Sequence, residues 1–295
     1  MEPWIAFTLL AVTGQSIRTA GQKRIARSLT IEATTLVRFL FGLPFTVIYL
    51  LLIKQVTATE FPSLDLDFAL PAALAAVSQV FATFCLVKAI TLKNFAVGTA
   101  LAKTEALLTA LIGALFFGAA LNLLAYVAVF VGVIGVLVAS NWKVSLADLH
   151  HNASIKFGIG AGLGFALASL WLRQSSLSLD TPVLFSAALV LCFMVSLQTL
   201  ICLAWVGIQN PGQMRPIVHN LPGSAFIGCT SVLGSVGWFT AMSLQEAALV
   251  KTLGQVEFVI TVLITYLYFK ERISAREYLG IALVAVSVFL LLQAS

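Results

Sequence analysis

The chain has 295 residues, 60% of them hydrophobic and only 10% charged, with a formal net charge of +5. A soluble domain usually carries about 25% charged residues, so a water-exposed surface is excluded and the bilayer is the solvent. The positive charge does not point to nucleic acid, because the basic residues sit in short breaks between apolar runs, where they orient a protein in a membrane.

Each apolar run is near the roughly 20 residues that cross a 30 Å hydrocarbon core. Ten spans are expected, near residues 3–20, 31–53, 68–88, 95–117, 121–140, 155–173, 182–207, 217–243, 247–269 and 276–293. The first follows Met1-Glu2-Pro3 without a basic n-region or a small-residue cleavage site, and reads as a retained helix. It carries Gln15, Arg18 and Gln22 at helical spacing, a stripe that lines a cavity mouth or marks an interfacial helix end. Arg38 is the one basic residue inside the second run, and Gln79 and Thr83 share a face of the third. The fourth holds Lys103 and Glu105, about 200° apart around a continuous helix.

Pro62, Pro71, Pro182 and the cluster Asn210-Pro211-Gly212 punctuate the chain. Asn141 to Ser154, polar and midway along, reads as a solvated connector, and its Asp148, His150 and His151 as loop residues in place of a metal site. Gly132, and Gly158, Gly160, Gly162 and Gly164 in the sixth span, permit close helix approach. The last four lack the preceding strand and following acidic residue of a dinucleotide fingerprint. Ser231, Ser235 and Trp238 share a face of the eighth span, and the ninth carries Lys251, Gln255 and Glu257. Cys85, Cys192, Cys202 and Cys229 lie in apolar runs without CxxC spacing and read as small buried hydrophobes.

An internal repeat organises these spans. Residues 89–117 lie over residues 241–269 without a gap, at a constant offset of 152, and ten positions are identical. Leu and Ala matches are cheap between membrane helices, whereas the coincidence of Glu105 with Glu257 is not. The expected organisation is a first five-helix repeat over 1–140, a connector over 141–154 and a second repeat over 155–295. An odd number of spans per repeat inverts the second copy, which places a binding site at the repeat interface near the midplane. The expected fold is therefore an all-α polytopic membrane protein of ten transmembrane helices in two inverted five-helix repeats.

Glu105 and Glu257 each lie about ten residues into an apolar helix. A carboxylate there costs several kcal/mol unless it is paired, protonated or facing a wet cavity, so a functional role is the default expectation. Such a pair can bind a cationic solute, exchange protons, or lock helices through a basic neighbour. The halves differ in their lysines: Gln255 replaces Lys103, and Lys251 stands one turn earlier on the face of Gln255, either as a site residue or snorkelling from the helix end. Arg38 is the expected partner of Glu105 or of an anionic group on the solute.

The tandem repeat, Arg38 in the second span and the segment YFKERIS at 268–274 resemble the drug/metabolite transporter superfamily, specifically its ten-helix EamA-type exporters with two EamA repeats. The resemblance covers nearly the whole chain. It departs at Ala119, where the first repeat usually ends on a Glu kept here as Glu271, and at Glu105 and Glu257, where many relatives have a helix-breaking proline. It implies a multi-pass protein of the bacterial inner membrane, a secondary transporter exporting a small polar metabolite by alternating access, with proton coupling through the glutamates as an option. Translocation of a lipid or lipid-linked headgroup is the alternative. No enzyme activity, cofactor or metal is expected. The expected partners are the solute, the lipid bilayer and protons, and the chain acts as a monomer or homodimer. The positive-inside rule puts both termini outside, since twelve Lys and Arg gather on one side against Lys54 and Arg173 on the other, while the resemblance puts them inside.

Overall fold

The computed structural model describes residues 2–26, 28–92, 100–140, 153–260, 262 and 274–294. Among them every regular element is helical: α1 (Pro3–Ile25), α2 (Ile31–Leu40), α3 (Leu43–Thr57), α4 (Leu66–Thr91), α5 (Glu105–Phe116), α6 (Leu123–Ala139), α7 (Ala153–Leu177), α8 (Val183–Gln209), α9 (Met214–His219), α10 (Leu221–Leu244), α11 (Ala247–Leu253) and α12 (Ala275–Ala294), with a 3₁₀ turn at Pro211–Gln213. The connector at 141–152 and most of the YFKERIS segment lie outside the described residues. Among the described residues six spans, α2 with α3, α4, α7, α8, α10 and α12, are long and apolar enough to cross a membrane. The ten-span plan of the sequence is completed by α1, α6 and the two apolar runs to which α5 and α11 belong. Apolar side chains such as Leu52, Leu115, Ile208 and Phe289 face outward, as a lipid-covered surface requires.

Local chemistry sets the helix starts. The Asp65 carboxylate accepts from the Phe68 N–H at 3.0 Å and the Asn122 side chain from the Ala125 N–H at 2.8 Å, satisfying amides that have no partner in the first turn. Asn122 also donates to the Ala294 carbonyl at 3.0 Å, tying the start of α6 to the end of α12. The second span was expected as one helix. It divides at Phe41 and Gly42, because Pro44 has no N–H to donate into the ladder.

The fourth and ninth spans are also interrupted, at Lys103-Thr104 and at Gly254-Gln255. There the ladder tightens to 3₁₀ bonds, Lys103 N–H to Ala100 and Thr104 N–H to Leu101 in one half, Gln255 N–H to Thr252 and Glu257 N–H to Gly254 in the other. The 200° separation expected of Lys103 and Glu105 assumed a continuous helix and does not apply. Short 3₁₀ stretches inside a span often mark functional hinges, and these two fall within a residue of the same place in each half.

The offset of 152 relates the helices across the whole chain: α1 to α7, α2 with α3 to α8, α4 to α10, and α6 to α12. The packing obeys the same exchange. α4 lies along α7 and its counterpart α10 lies along α1, while α6 and α12 pack on each other. With five crossings per half, the axis that interchanges them lies in the membrane plane. Small residues permit this proximity: a Cβ on Gly237 would meet the Ala11 nitrogen and the Phe7 oxygen at 2.5 Å, and one on Gly164 would meet the Ala82 side chain at 2.9 Å.

Candidate functional site

The interruptions bring charged side chains to the repeat interface. Lys103, in the first break, pairs with Glu257 of the second half. Lys251, at the end of α11, donates to Glu105 Oε2 at 3.2 Å, at the N-terminus of α5. Each lysine thus reaches across to the carboxylate of the opposite repeat. Of the two partners expected for Arg38, Glu105 or an anionic group on the solute, Glu105 is excluded, because Lys251 holds that position. Nor does Lys251 snorkel: its side chain is 6% exposed and that of Glu105 9%. The partially open pair is the other one, at 21% for Lys103 and 12% for Glu257.

One network joins the two pairs. Gln15 on α1 donates its amide to Glu257 Oε2 at 2.9 Å and accepts from the Trp238 indole N–H at 3.0 Å. The Trp238 ring in turn carries the Lys251 ammonium 4.5 Å from its centroid, with Phe165 behind it at 5.7 Å. A continuous path of polar and cation–π contacts therefore runs from Lys103 to Glu105 through residues of both halves.

Arg18 and Arg38 complete the interior. Both are buried, Arg18 to 2% exposure and Arg38 to 4%, so the stripe on α1 faces the centre and is not an interfacial end. Arg38 donates Nη1 to the Thr83 hydroxyl at 2.6 Å and lies 5.0 Å from the Phe39 ring centroid. Arg18 Nε and Gln22 Nε2 are buried without a hydrogen-bond partner among the described residues. Arg18 lies within electrostatic reach of Glu257, Glu105 and Arg38.

Arg38 also lines a small cavity with Gln79, Gln198, Ser231 and Ser235. The last two stand at the positions of Gln79 and Thr83 under the repeat offset, so both halves contribute the same face. Gln198, which donates to Gln79 Oε1 at 2.7 Å, was not singled out from the sequence, although a lone amide in an apolar run is a legible signal. Gln255 does not join Lys251. Its amide lies against Gly132, where a Cβ would sit 2.2 Å from Oε1. Cys85 and Cys202 are buried as expected, whereas Cys229 faces outward. No cluster able to hold a metal occurs among the described residues. A separate cleft of about 690 Å³ opens where α4 and α11 begin and α5 and α7 end, the face on which α1 starts and α12 finishes. It is lined by Asp67, Phe117, Trp171 and Arg173, the last fixed by Glu246 at 2.9 Å and the Met242 and Gln245 carbonyls at 2.7 Å.

Inverted halves, equivalent breaks in two spans and charges gathered at those breaks define a class, the multi-pass membrane proteins built as inverted repeats. The sequence model of the EamA-like transporter family matches twice, over residues 2–141 and 152–293, and the chain belongs to that family of membrane transporters. A solved crystal structure 14% identical in sequence aligns over 99% of this chain and 97% of its own, with a TM-score of 0.72, a likeness of fold alone. No curated protein matches the chain.

Proposed function

We propose that the protein is a secondary transporter of the bacterial inner membrane that exports a small polar metabolite by alternating access, the crossed ion pairs rearranging as the halves rock. The carrying observation is that Lys103 with Glu257, and Lys251 with Glu105, join opposite repeats at the points where the helix ladders are interrupted. Charges inside a membrane are expensive and concentrate where solutes or ions pass. Pairs that span two moving bodies can be exchanged for solute contacts without leaving a charge bare. The glutamates are the groups through which protons could couple to the cycle.

The test is counterflow in proteoliposomes loaded with organic acids, amino acids, amines and sugar phosphates, run beside a dithionite assay for scrambling of a fluorescent lipid. Saturable exchange of one solute class supports the reading. Lipid scrambling without solute exchange would replace it with the translocase.

A further inference from the structure

We propose that the solute is an anion and that Arg18 and Arg38 bind its carboxylate or phosphate group, an inference that rests on the transporter reading. The argument starts from the charges enclosed at the repeat interface. Among the described residues they are four cations, Arg18, Arg38, Lys103 and Lys251, and two carboxylates, Glu105 and Glu257. Each carboxylate is balanced by a lysine, so the two pairs leave no net negative charge to be met by a cationic solute. The two arginines are left over, an excess of two positive charges in a low-dielectric interior.

An arginine does not shed its proton inside a protein, so this excess is removed only by a counter-charge. Both guanidinium groups are buried, Arg18 on the face of α1 that carries Gln15 and Gln22, and Arg38 in a cavity with Gln79, Ser231 and Ser235. Their unused donors support the same conclusion. Thr83 takes one hydrogen bond from Arg38, leaving the rest of its fork, while Arg18 Nε and the adjacent Gln22 Nε2 are buried and have no partner among the described residues. Ser231 Oγ, in the Arg38 cavity, is a further buried group without a partner among them. Forked guanidinium donors match the oxygen pairs of carboxylate and phosphate, and an anion held by Arg18 and Arg38 would satisfy these donors and offset the excess charge.

The experiment compares solutes matched in shape and differing in charge: glutarate against glutaramide, glycerol 3-phosphate against glycerol, and 1,5-diaminopentane as the cation. Binding is read by thermal shift and calorimetry on the purified protein, and flux by counterflow in liposomes. The anions are expected to stabilise the wild type and their neutral isosteres to leave it unchanged. Arg18→Gln and Arg38→Gln should each weaken anion binding at least about 30-fold, and Arg38→Lys should not restore it. Arg215→Gln, which removes an exposed charge elsewhere, controls for net charge. The wild-type comparison remains decisive if an arginine variant does not fold. Binding and flux of the diamine or a neutral solute, with none for the anions, overturns the anion inference and leaves the transporter. Arginine-dependent anion binding without flux of any solute sustains the site and removes the transporter reading. Anion binding that survives both arginine substitutions marks an adventitious ion only and overturns the proposal.

Discussion

The two ion pairs carry the same charges in different surroundings, so they should respond differently to the loss of one partner. Removing half of a buried pair costs about 3–5 kcal/mol, because the remaining charge is stranded, whereas replacing both members by neutral groups of similar volume is roughly neutral. Lys251 and Glu105, 6% and 9% exposed, fall in that regime. Lys251→Met and Glu105→Gln should each destabilise the protein by about 3–5 kcal/mol, and the double variant should cost no more than either single, a coupling of about 3–5 kcal/mol. Lys103 and Glu257 are more open, and Gln15 keeps a hydrogen bond on Glu257 when the lysine is gone. That pair should couple more weakly than Lys251 and Glu105. Reversible unfolding in mixed micelles, followed by tryptophan fluorescence, reads both cycles. Additive losses at Lys251 and Glu105, or a larger coupling between Lys103 and Glu257, would refute this reading of the two environments.

Glu257→Gln keeps size and loses charge, and should slow exchange at least about tenfold, equivalent to about 1.4 kcal/mol, while the protein still elutes as folded; wild-type exchange at acidic and alkaline pH alike would remove Glu257 from the cycle. Gly237→Val places a side chain on the Ala11 and Phe7 backbone and should cost about 1–3 kcal/mol or more by forcing α1 away from α10, seen as a lowered unfolding midpoint. For orientation, the charge bias predicts that a phosphatase fused at the C-terminus is active and a cytoplasm-only fluorescent reporter is dark. The opposite pattern would show that buried charges such as Arg18 distort the count.

The plan of the molecule was legible because it is periodic. The length of the apolar runs, the offset of 152 and the coincidence of Glu105 with Glu257 all survive translation into coordinates, since each is a property of the chain alone. Pairing was harder. Nothing in the composition distinguishes Lys251 from Arg38 as the partner of Glu105, because that choice depends on which helices the inverted packing brings together. The interruption after Lys103 was also hidden. No proline marks it, and the residues around it are ordinary helix formers, so the tightening to 3₁₀ bonds comes from tertiary context overriding propensity. The break after Phe41 was readable in retrospect from Pro44.

The crossed pairs also shape how the protein is made. Lys103 and Glu257 are 154 residues apart in the chain, and Glu105 and Lys251 are 146 apart. At about 5–20 residues per second, the first half waits roughly 7–30 s between the synthesis of its lysine and glutamate and the arrival of their partners. During that interval the break at Lys103 and Thr104 must be sheltered by the insertion machinery or by water, because the bilayer does not tolerate bare charges. The arrival of the second half therefore acts as a late quality check, after which Lys103 and Glu105 are neutralised together and the first five helices can settle.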